Sequence, residues 1–293
     1  MPIALAKKFT SLLDEVYKNS SVTSDLTSDG ALIRAGANAN EIIYPQIDVS
    51  GLGDYSRNSG YTSGAVNLAW KTTAFNYDRG TKISIDAMDD EETIGLAFGQ
   101  AGATLQREKV APEADAFFFA TLASKAGISK VQETYASAEA FLMALLAAKN
   151  KLDEDEVPEE NRYLYATPTL LNGVMALDTT KSREILAHWA KRTATPQTRF
   201  YTAIDLLDGR TADEEAGHFR KSAGAFDLNF MIIHKSAIIK YDKHVVGSVI
   251  SPDANQNADA YILKYRKYGI VDAYANKLAG IYASYKAAEE EGA

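Results

Sequence analysis

The sequence has 293 residues, 46% of them hydrophobic and 24% charged, so it can bury a substantial core in one large domain or two smaller ones. A formal net charge of −8 argues against tight, sequence-independent nucleic-acid binding, in which Lys and Arg displace the counterions of phosphates. The lack of cysteine excludes disulfides, thiolate catalysis and cysteine-ligated zinc. No stretch approaches the roughly 20 apolar residues of a membrane span, so a soluble protein made and kept in the cytoplasm is expected.

An amphipathic helix is predicted over residues 3–18, because Leu5, Phe9, Leu12 and Val16 recur at helical spacing. The stretch that follows is rich in Ser, Thr, Asn and Asp and has little periodicity, which predicts an arm or linker instead of a core element. A helix on such a tether either docks on its own domain or hooks onto another subunit.

A β-hairpin is predicted after the glycine-rich loop at 51–64. The runs 66–71 and 82–87 both alternate apolar and polar residues, and Asp78-Arg79-Gly80 lies between them. Gly80 is free to adopt the positive φ that a tight turn requires. An isolated two-stranded hairpin is marginally stable in water, so this one needs a surface, supplied by its own chain or by a neighbouring subunit.

An acidic cluster follows the hairpin directly: Asp86, Asp89, Asp90, Glu91 and Glu92. A long helix is predicted from about residue 90 to 124, bent or split at Pro112. Asp89 is predicted to cap this helix, with Glu92 as the reciprocal partner of a capping box. A hard-cation or acid–base site is the alternative, but it needs about six oxygen ligands or an accompanying nucleophile or base, and the neighbouring sequence supplies none. Capping and solvation are therefore favoured over chemistry.

Helix and strand signals alternate between about 128 and 258. Ser137 is predicted to open one helix and Pro168 another, and the run 162–167 is predicted to form a strand between them. Further strands are predicted in the C-terminal third. The histidines lack metal-ligating spacing, and neither a nucleophile elbow nor a dinucleotide-binding glycine fingerprint occurs. The sequence therefore predicts no catalytic residue, no cofactor site and no metal site.

The order of these parts resembles the major capsid proteins of tailed bacteriophages, which share the Hong Kong 97 fold. The specific passages are "DRGTKISIDAMDDEET", "EKVAPEADAF" and the C-terminal "NKLAGIY". The resemblance runs from about residue 40 to 286 and is loosest between 178 and 230.

The resemblance implies an α+β fold in four parts. These are an N-terminal arm (1–40), an extended β-hairpin loop (41–88), a peripheral domain with a long spine helix (89–127 and 259–288) and an axial domain (128–258). The extended loop would lie over an adjacent subunit, with inter-subunit contacts from Trp70, Lys71, Phe75, Tyr77, Arg79 and Lys82. The alternative for the aromatic residues is that they pack on the spine helix of their own subunit.

The implied function is structural and non-enzymatic. The chain would assemble in the cytoplasm of a bacterial host into pentamers and hexamers of an icosahedral virion shell. Its implied partners are further copies of itself, a separate scaffolding protein, a portal and the enclosed double-stranded DNA, which is held without sequence-specific contacts. No membrane partner is implied. An encapsulin-type nanocompartment has the same fold and remains an alternative. A carboxylate-dependent hydrolase that uses the acidic cluster is a more remote one.

Overall fold

The computed structural model describes residues 16, 20–28, 34–35, 40–92 and 96–286. The strands within these residues are β1 (Arg34–Ala35), β2 (Glu41–Val49), β3 (Val66–Ala74), β4 (Tyr77–Asp86), β5 (Ser129–Gln132), β6 (Arg162–Ala166), β7 (Lys191–Ala194), β8 (Ile204–Leu206), β9 (Phe219–Lys221), β10 (Leu228–His234), β11 (Ile238–Ile250), β12 (Ala260–Ala273) and β13 (Ile281–Tyr285). The α-helices are α1 (Ala87–Glu92), α2 (Leu96–Leu105), α3 (Ala111–Ser124), α4 (Ala138–Glu154), α5 (Pro168–Ala176) and α6 (Thr180–Ala187). None of the described helices is long and apolar enough to cross a bilayer.

A five-stranded sheet in the order β5-β13-β10-β6-β7 forms the centre of the larger core. Its middle strand, β10, is buried along its whole length, as expected for a mainly apolar strand covered on both faces. Met231 and Ile233 pack with Phe119 of α3 on one face, whereas Phe230 and Ile232 pack with Phe141 of α4 on the other. The helices α4, α5 and α6 therefore cover one side of this sheet, and α3 covers the opposite side.

The helix starts predicted in this region are confirmed. Ser137 precedes α4, and its hydroxyl accepts a hydrogen bond from the amide of Ala140 at 3.2 Å. Pro168 is the first residue of α5, where its missing N–H costs no helical hydrogen bond. The strand predicted at 162–167 is β6.

The predicted pairing of the hairpin is wrong. β3 pairs with β2, whereas β4 pairs with β12 in a separate sheet of order β11-β12-β4. The sequence Asp78-Arg79-Gly80 is therefore the interior of a strand and not a turn. Gly80 is needed there because a Cβ would lie 2.8 Å from the carbonyl oxygen of Tyr265 on β12, so it permits close strand approach.

The predicted domain boundary at residue 258 does not follow the sheets. β11, from the predicted axial segment, pairs along its length with β12, from the predicted peripheral segment. β13, also assigned to the peripheral segment, pairs with β10 in the five-stranded sheet. The reason is that β11 and β12 are consecutive antiparallel strands joined by a short connection, and such neighbours usually pair.

The helical region after β4 begins earlier than predicted. α1 starts at Ala87, and Asp86 precedes it, accepting a hydrogen bond from the amide of Met88 at 2.9 Å. The prediction that Asp89 caps this helix is therefore wrong, since Asp89 is the third helical residue and Glu92 the last. The capping box predicted between Asp89 and Glu92 is therefore also wrong.

Pro112 is accommodated by a change of helix type. A π-helical turn at Gln106–Val110 joins α2 to α3, and the amide of Ala111 donates to the carbonyl of Gln106. Proline has no N–H to donate, and its ring crowds the carbonyl four residues earlier. The wider π turn relieves this crowding just before Pro112, and the helical segments continue through it without a break.

The prediction of a linker at residues 20–28 is wrong, because this docked segment lies against the core. Leu26 is completely buried, and the wholly buried carboxylate of Asp115 on α3 holds the preceding residues. Asp115 accepts hydrogen bonds from Ser21 Oγ (2.7 Å), the amide of Val22 (3.0 Å), and Thr23 Oγ1 (2.6 Å). The predicted helix at 3–18 and most of the predicted arm lie outside the described residues.

Two cations complete the network around the docked segment. Arg199 Nη1 lies 3.0 Å from Asp115 Oδ2, and Lys240 Nζ donates to the carbonyl oxygen and hydroxyl of Thr23 at 2.6 and 2.8 Å. Burial lowers the pKa of Lys240 to about 8. The segment is therefore held by charged side chains from two other parts of the chain.

Candidate assembly site

The β2–β3 hairpin is exposed over most of β3 and the outer part of β2. The strands run antiparallel from Glu41↔Ala74 at the root to Val49↔Val66 near the tip. The loop at 50–65 contains a further bridge between Ser56 and Gly60 and is exposed along almost all of its length.

One face of this hairpin carries an apolar ladder. Three directly opposed pairs on the same face form it: Pro45↔Trp70, Ile47↔Leu68 and Val49↔Val66. The exposed fractions of Ile47, Val49, Val66, Leu68 and Trp70 lie between 46% and 71%. Large apolar side chains concentrated in this way mark an interaction surface, whereas single exposed ones are normal.

The opposite face of the hairpin packs on the body of the molecule at its root. Ile42 and Tyr44 are buried against Ile239 and Ile270 of the β11–β12 sheet. The ring of Tyr44 meets that of Tyr274 edge-on at 5.0 Å between centroids. The apolar ladder therefore points away from the surface on which its own chain holds the hairpin.

The connection from the hairpin to β4 is fixed by hydrogen bonds. The amide of Phe75 donates to the carbonyl of Asn40 at 3.0 Å, which closes the root. The side chain of Asn76 then donates to the carbonyl of Val271 (2.8 Å) and accepts from its amide (3.1 Å). The side-chain amide of Asn76 therefore pairs with the backbone of β12 as a neighbouring strand would.

Three of the predicted inter-subunit residues are engaged within the chain. The ring of Phe75 lies 4.7 Å from that of Tyr268. Tyr77 is only 5% exposed, and its hydroxyl donates to Glu113 Oε1 at 3.1 Å. Arg79 Nε contacts the same oxygen at 2.7 Å. Tyr77 therefore packs on the helix of its own chain, as the alternative for the aromatic residues has it, whereas Phe75 packs on β12.

The other three predicted residues are exposed. Trp70 lies on the apolar ladder, and Lys71 lies on the opposite face of β3. Lys82 lies on β4, opposite Lys264 of β12. The sequence missed the β2 half of the ladder, because Pro45 interrupts its apolar pattern and its partner strand was assigned elsewhere.

A buried carboxylate ties the root of β4 to α3. Glu113 accepts from Tyr77 and Arg79, and His218 Nδ1 lies 3.5 Å from Glu113 Oε2. Burial alone would raise the pKa of Glu113, but contacts with His218, Arg79 and Tyr77 outweigh this effect and lower the pKa. Arg79 also donates to the carbonyl of His218 at 3.1 Å, so one network joins β4, α3 and the loop before β9.

Of the acidic cluster, the structure describes the side chains of Asp86 and Asp89. Among the described residues, no group of three His, Asp or Glu side chains is arranged to hold a metal ion. Asp86 instead serves as the helix cap described above.

Comparison with known proteins identifies the fold. No protein-family model and no curated protein sequence matches this chain. Among solved structures, one from Mycobacterium phage Che8 is 12% identical, with a TM-score of 0.58 over 90% of both chains. The capsid structure of the Cyanophage P-SCSP1u is 13% identical, with a TM-score of 0.57 over 91% of this chain and 88% of that chain. The virus-like particle from Pyrococcus furiosus is 9% identical, with a TM-score of 0.61 over 95% of this chain and 98% of that chain.

These similarities confirm the predicted fold class. The chain has the α+β fold of the Hong Kong 97 type, with an extended hairpin, a long segmented helix and two principal sheets. Sequence identities between 9% and 13% establish the fold alone, so function must be argued from the surface of this chain.

Proposed function

We propose that this chain is the major capsid protein of a tailed bacteriophage or prophage. Copies of it would form the pentamers and hexamers of an icosahedral shell that encloses double-stranded DNA. The apolar ladder on the β2–β3 hairpin carries this proposal, because it is a large interaction surface on an element that projects from its own core.

The energetics favour burial of the ladder against another copy. Ile47, Val49, Val66 and Leu68 are each at least half exposed, and burying such a side chain fully contributes about 1.5–3 kcal/mol when it starts in water. The remaining gain is therefore roughly 1 kcal/mol for each residue. Repeated around a closed ring, such a contact is made by every subunit, so a modest pairwise affinity supports a stable shell.

The sheets suggest a revised division of the chain. We assign the extended loop to residues 41–74, and the peripheral part to α1–α3 with β4, β11 and β12. The axial part then comprises the five-stranded sheet with α4–α6. Trp70, Lys71 and Lys82 remain the proposed inter-subunit contacts from the original set, joined by Pro45, Ile47, Val49, Val66 and Leu68.

An encapsulin-type nanocompartment is the second candidate. The similarity to the Pyrococcus furiosus virus-like particle, which covers 95% of this chain, favours it. The two candidates differ in content and partners. A phage capsid requires a scaffolding protein, a portal and packaged DNA in a virion, whereas a nanocompartment encloses protein cargo. On either proposal the chain is structural and not enzymatic.

Expression of the full chain, alone and with its genomic neighbours, tests the proposal. Negative-stain microscopy and size exclusion should show closed or tubular shells, and mass spectrometry with ultraviolet absorbance should identify their contents. A chain that remains monomeric with its neighbours present would refute both candidates.

A matched pair of hairpin variants tests the role of the ladder. The double variant Ile47→Ser/Leu68→Ser changes one opposed pair on the apolar face and should abolish shells while leaving a folded chain. The control Gln46→Ser/Ala69→Ser changes the adjacent opposed pair on the other face and should assemble normally. Equal assembly by both variants would show that the ladder is not the contact.

A further inference from the structure

A cavity of about 390 Å³ lies where three elements meet, and we name it the junction cavity. It is lined by β4 (79–82), the π-helical turn with its flanking residues (105–110) and the loop at 207–218, with Tyr265 and Lys267 of β12. This volume is within the range of small-molecule sites. The apolar ladder does not contribute to it, and of the proposed shell contacts Lys82 alone lies in its lining.

Three cations from the three elements reach the junction cavity. Lys82 comes from β4, Lys109 from the π turn and Arg210 from the loop. All three are exposed, and among the described residues none forms an ion pair. The π turn matters here because it shifts the register of the helical face, and Lys109 with Val110 then borders the cavity.

Two of the three carboxylates in the lining are already committed. Glu113 is held by Arg79 and Tyr77. Asp208 accepts hydrogen bonds from the amides of Arg210 (2.7 Å) and Thr211 (2.8 Å). Only Glu215 lacks such a contact among the described residues. Lys267 is paired with Asp242 at 3.2 Å, so the other four Lys and Arg side chains against three carboxylates leave an excess of one positive charge, in a chain whose net charge is −8.

The loop that presents Arg210 is conformationally fixed. Gly209 and Gly217 both adopt positive φ, at 71° and 61°, and they lie against each other at the neck of the loop. Asp208 fixes the backbone at Arg210, and the carbonyl of His218 is held by Arg79. Preorganised groups lose less entropy when they bind a ligand, so the arrangement favours binding.

We propose that the junction cavity binds a small phosphate-bearing anion, with inorganic diphosphate as the simplest example. Arg210 supplies the planar fork that pairs with two oxygens of a phosphate, and Lys82 and Lys109 supply point charges on either side. The bound anion links the strand that follows the hairpin to the segmented helix and to the loop at 207–218. Its effect is therefore to stiffen the junction of these three elements.

Isothermal titration of the purified full chain with sodium diphosphate tests the proposal. We expect saturable binding of one diphosphate per chain. The variant Lys109→Gln/Arg210→Gln should bind at least tenfold more weakly. The control Arg192→Gln/Lys235→Gln removes the same residue types from exposed positions outside the cavity and should bind within twofold of the unmodified chain. Absence of saturable binding, or equal weakening in the control, would refute the proposal.

Three additional measurements support the interpretation. Circular dichroism establishes that each variant is folded. Lys109→Arg keeps the charge and should therefore retain most of the affinity for diphosphate that Lys109→Gln loses. Titration with a short DNA duplex separates the two sources of phosphate, since binding of duplex without binding of diphosphate would contradict a small-anion site. Shells that assemble without binding diphosphate would refute this inference and leave the proposed function intact.

Discussion

Replacement of Asp115 by Asn should release the docked segment at residues 20–28. The carboxylate is wholly buried and accepts from two hydroxyls and two amides of the segment, in addition to Arg199. In an asparagine, an NH2 group replaces one of these oxygens and cannot accept hydrogen bonds from the donors that face it. The guanidinium of Arg199 also loses its counter-charge. Breaking a buried pair in this way costs about 3–5 kcal/mol.

Hydrogen exchange measured by mass spectrometry is the appropriate assay, because it reports local opening whether or not the chain is assembled. The amide of Ser28, which donates to the carbonyl of Lys240 at 2.9 Å, and the amides of Val22 and Thr23 are the probes. A cost of about 3–5 kcal/mol corresponds to exchange that is roughly two to four decades faster. Amides in β10 should exchange as before.

Asp25→Asn is the matched control, since it makes the same charge change in the same segment. Asp25 is exposed and pairs with Lys191 at the surface, where such a pair contributes about 1 kcal/mol or less. Exchange should therefore accelerate about fivefold at most. Similar exchange in both variants would refute the idea that the Asp115 network holds the segment.

Further predictions concern stability measured by denaturant unfolding. Because burial lowers the pKa of Lys240 to about 8, the native state binds fewer protons than the unfolded chain above that pH. Stability should rise by about 2 kcal/mol between pH 7.5 and 9.5, a rise that Lys240→Met should remove and whose persistence in that variant would contradict the assignment. Gly80→Ala should cost about 1–3 kcal/mol because its Cβ would meet the carbonyl of Tyr265, whereas Gly51→Ala, with open space around it, should be neutral; equal effects would exclude the close-approach argument. Phe119→Ala, in the core beneath the five-stranded sheet, should cost about 3–5 kcal/mol, and a loss below 1 kcal/mol would place that ring outside the core.

The local features of the fold follow from the sequence. The apolar run of β10, the cap at Ser137 and the proline at the start of α5 each depend on a few adjacent residues. The order of elements was sufficient to predict the fold class. The hairpin was mispaired because β4 finds its partner in β12, about 180 residues later, and alternation alone does not identify a distant partner.

The docked segment shows a second limit of sequence reasoning. Its Ser and Thr residues are typical of a linker, and only the position of Asp115 and Lys240 in the fold makes them part of a buried network. The contacts of Tyr77 and Arg79 within the chain were missed for a related reason. Tyr77 and Arg79 alternate correctly for an exposed strand face, but Glu113 of α3 draws both of them into the interior.

The hydrogen bonds of Asn76 determine how the hairpin can move. Two hydrogen bonds join Asn76 to Val271, so the root of the hairpin is fixed and cannot act as a hinge. In the proposed shell, subunits at five-fold and six-fold positions would present differently inclined neighbours to the same hairpin. Any adjustment to these inclinations must then be spread as elastic bending and twisting along β2 and β3, or it must tilt the β11-β12-β4 sheet together with the hairpin.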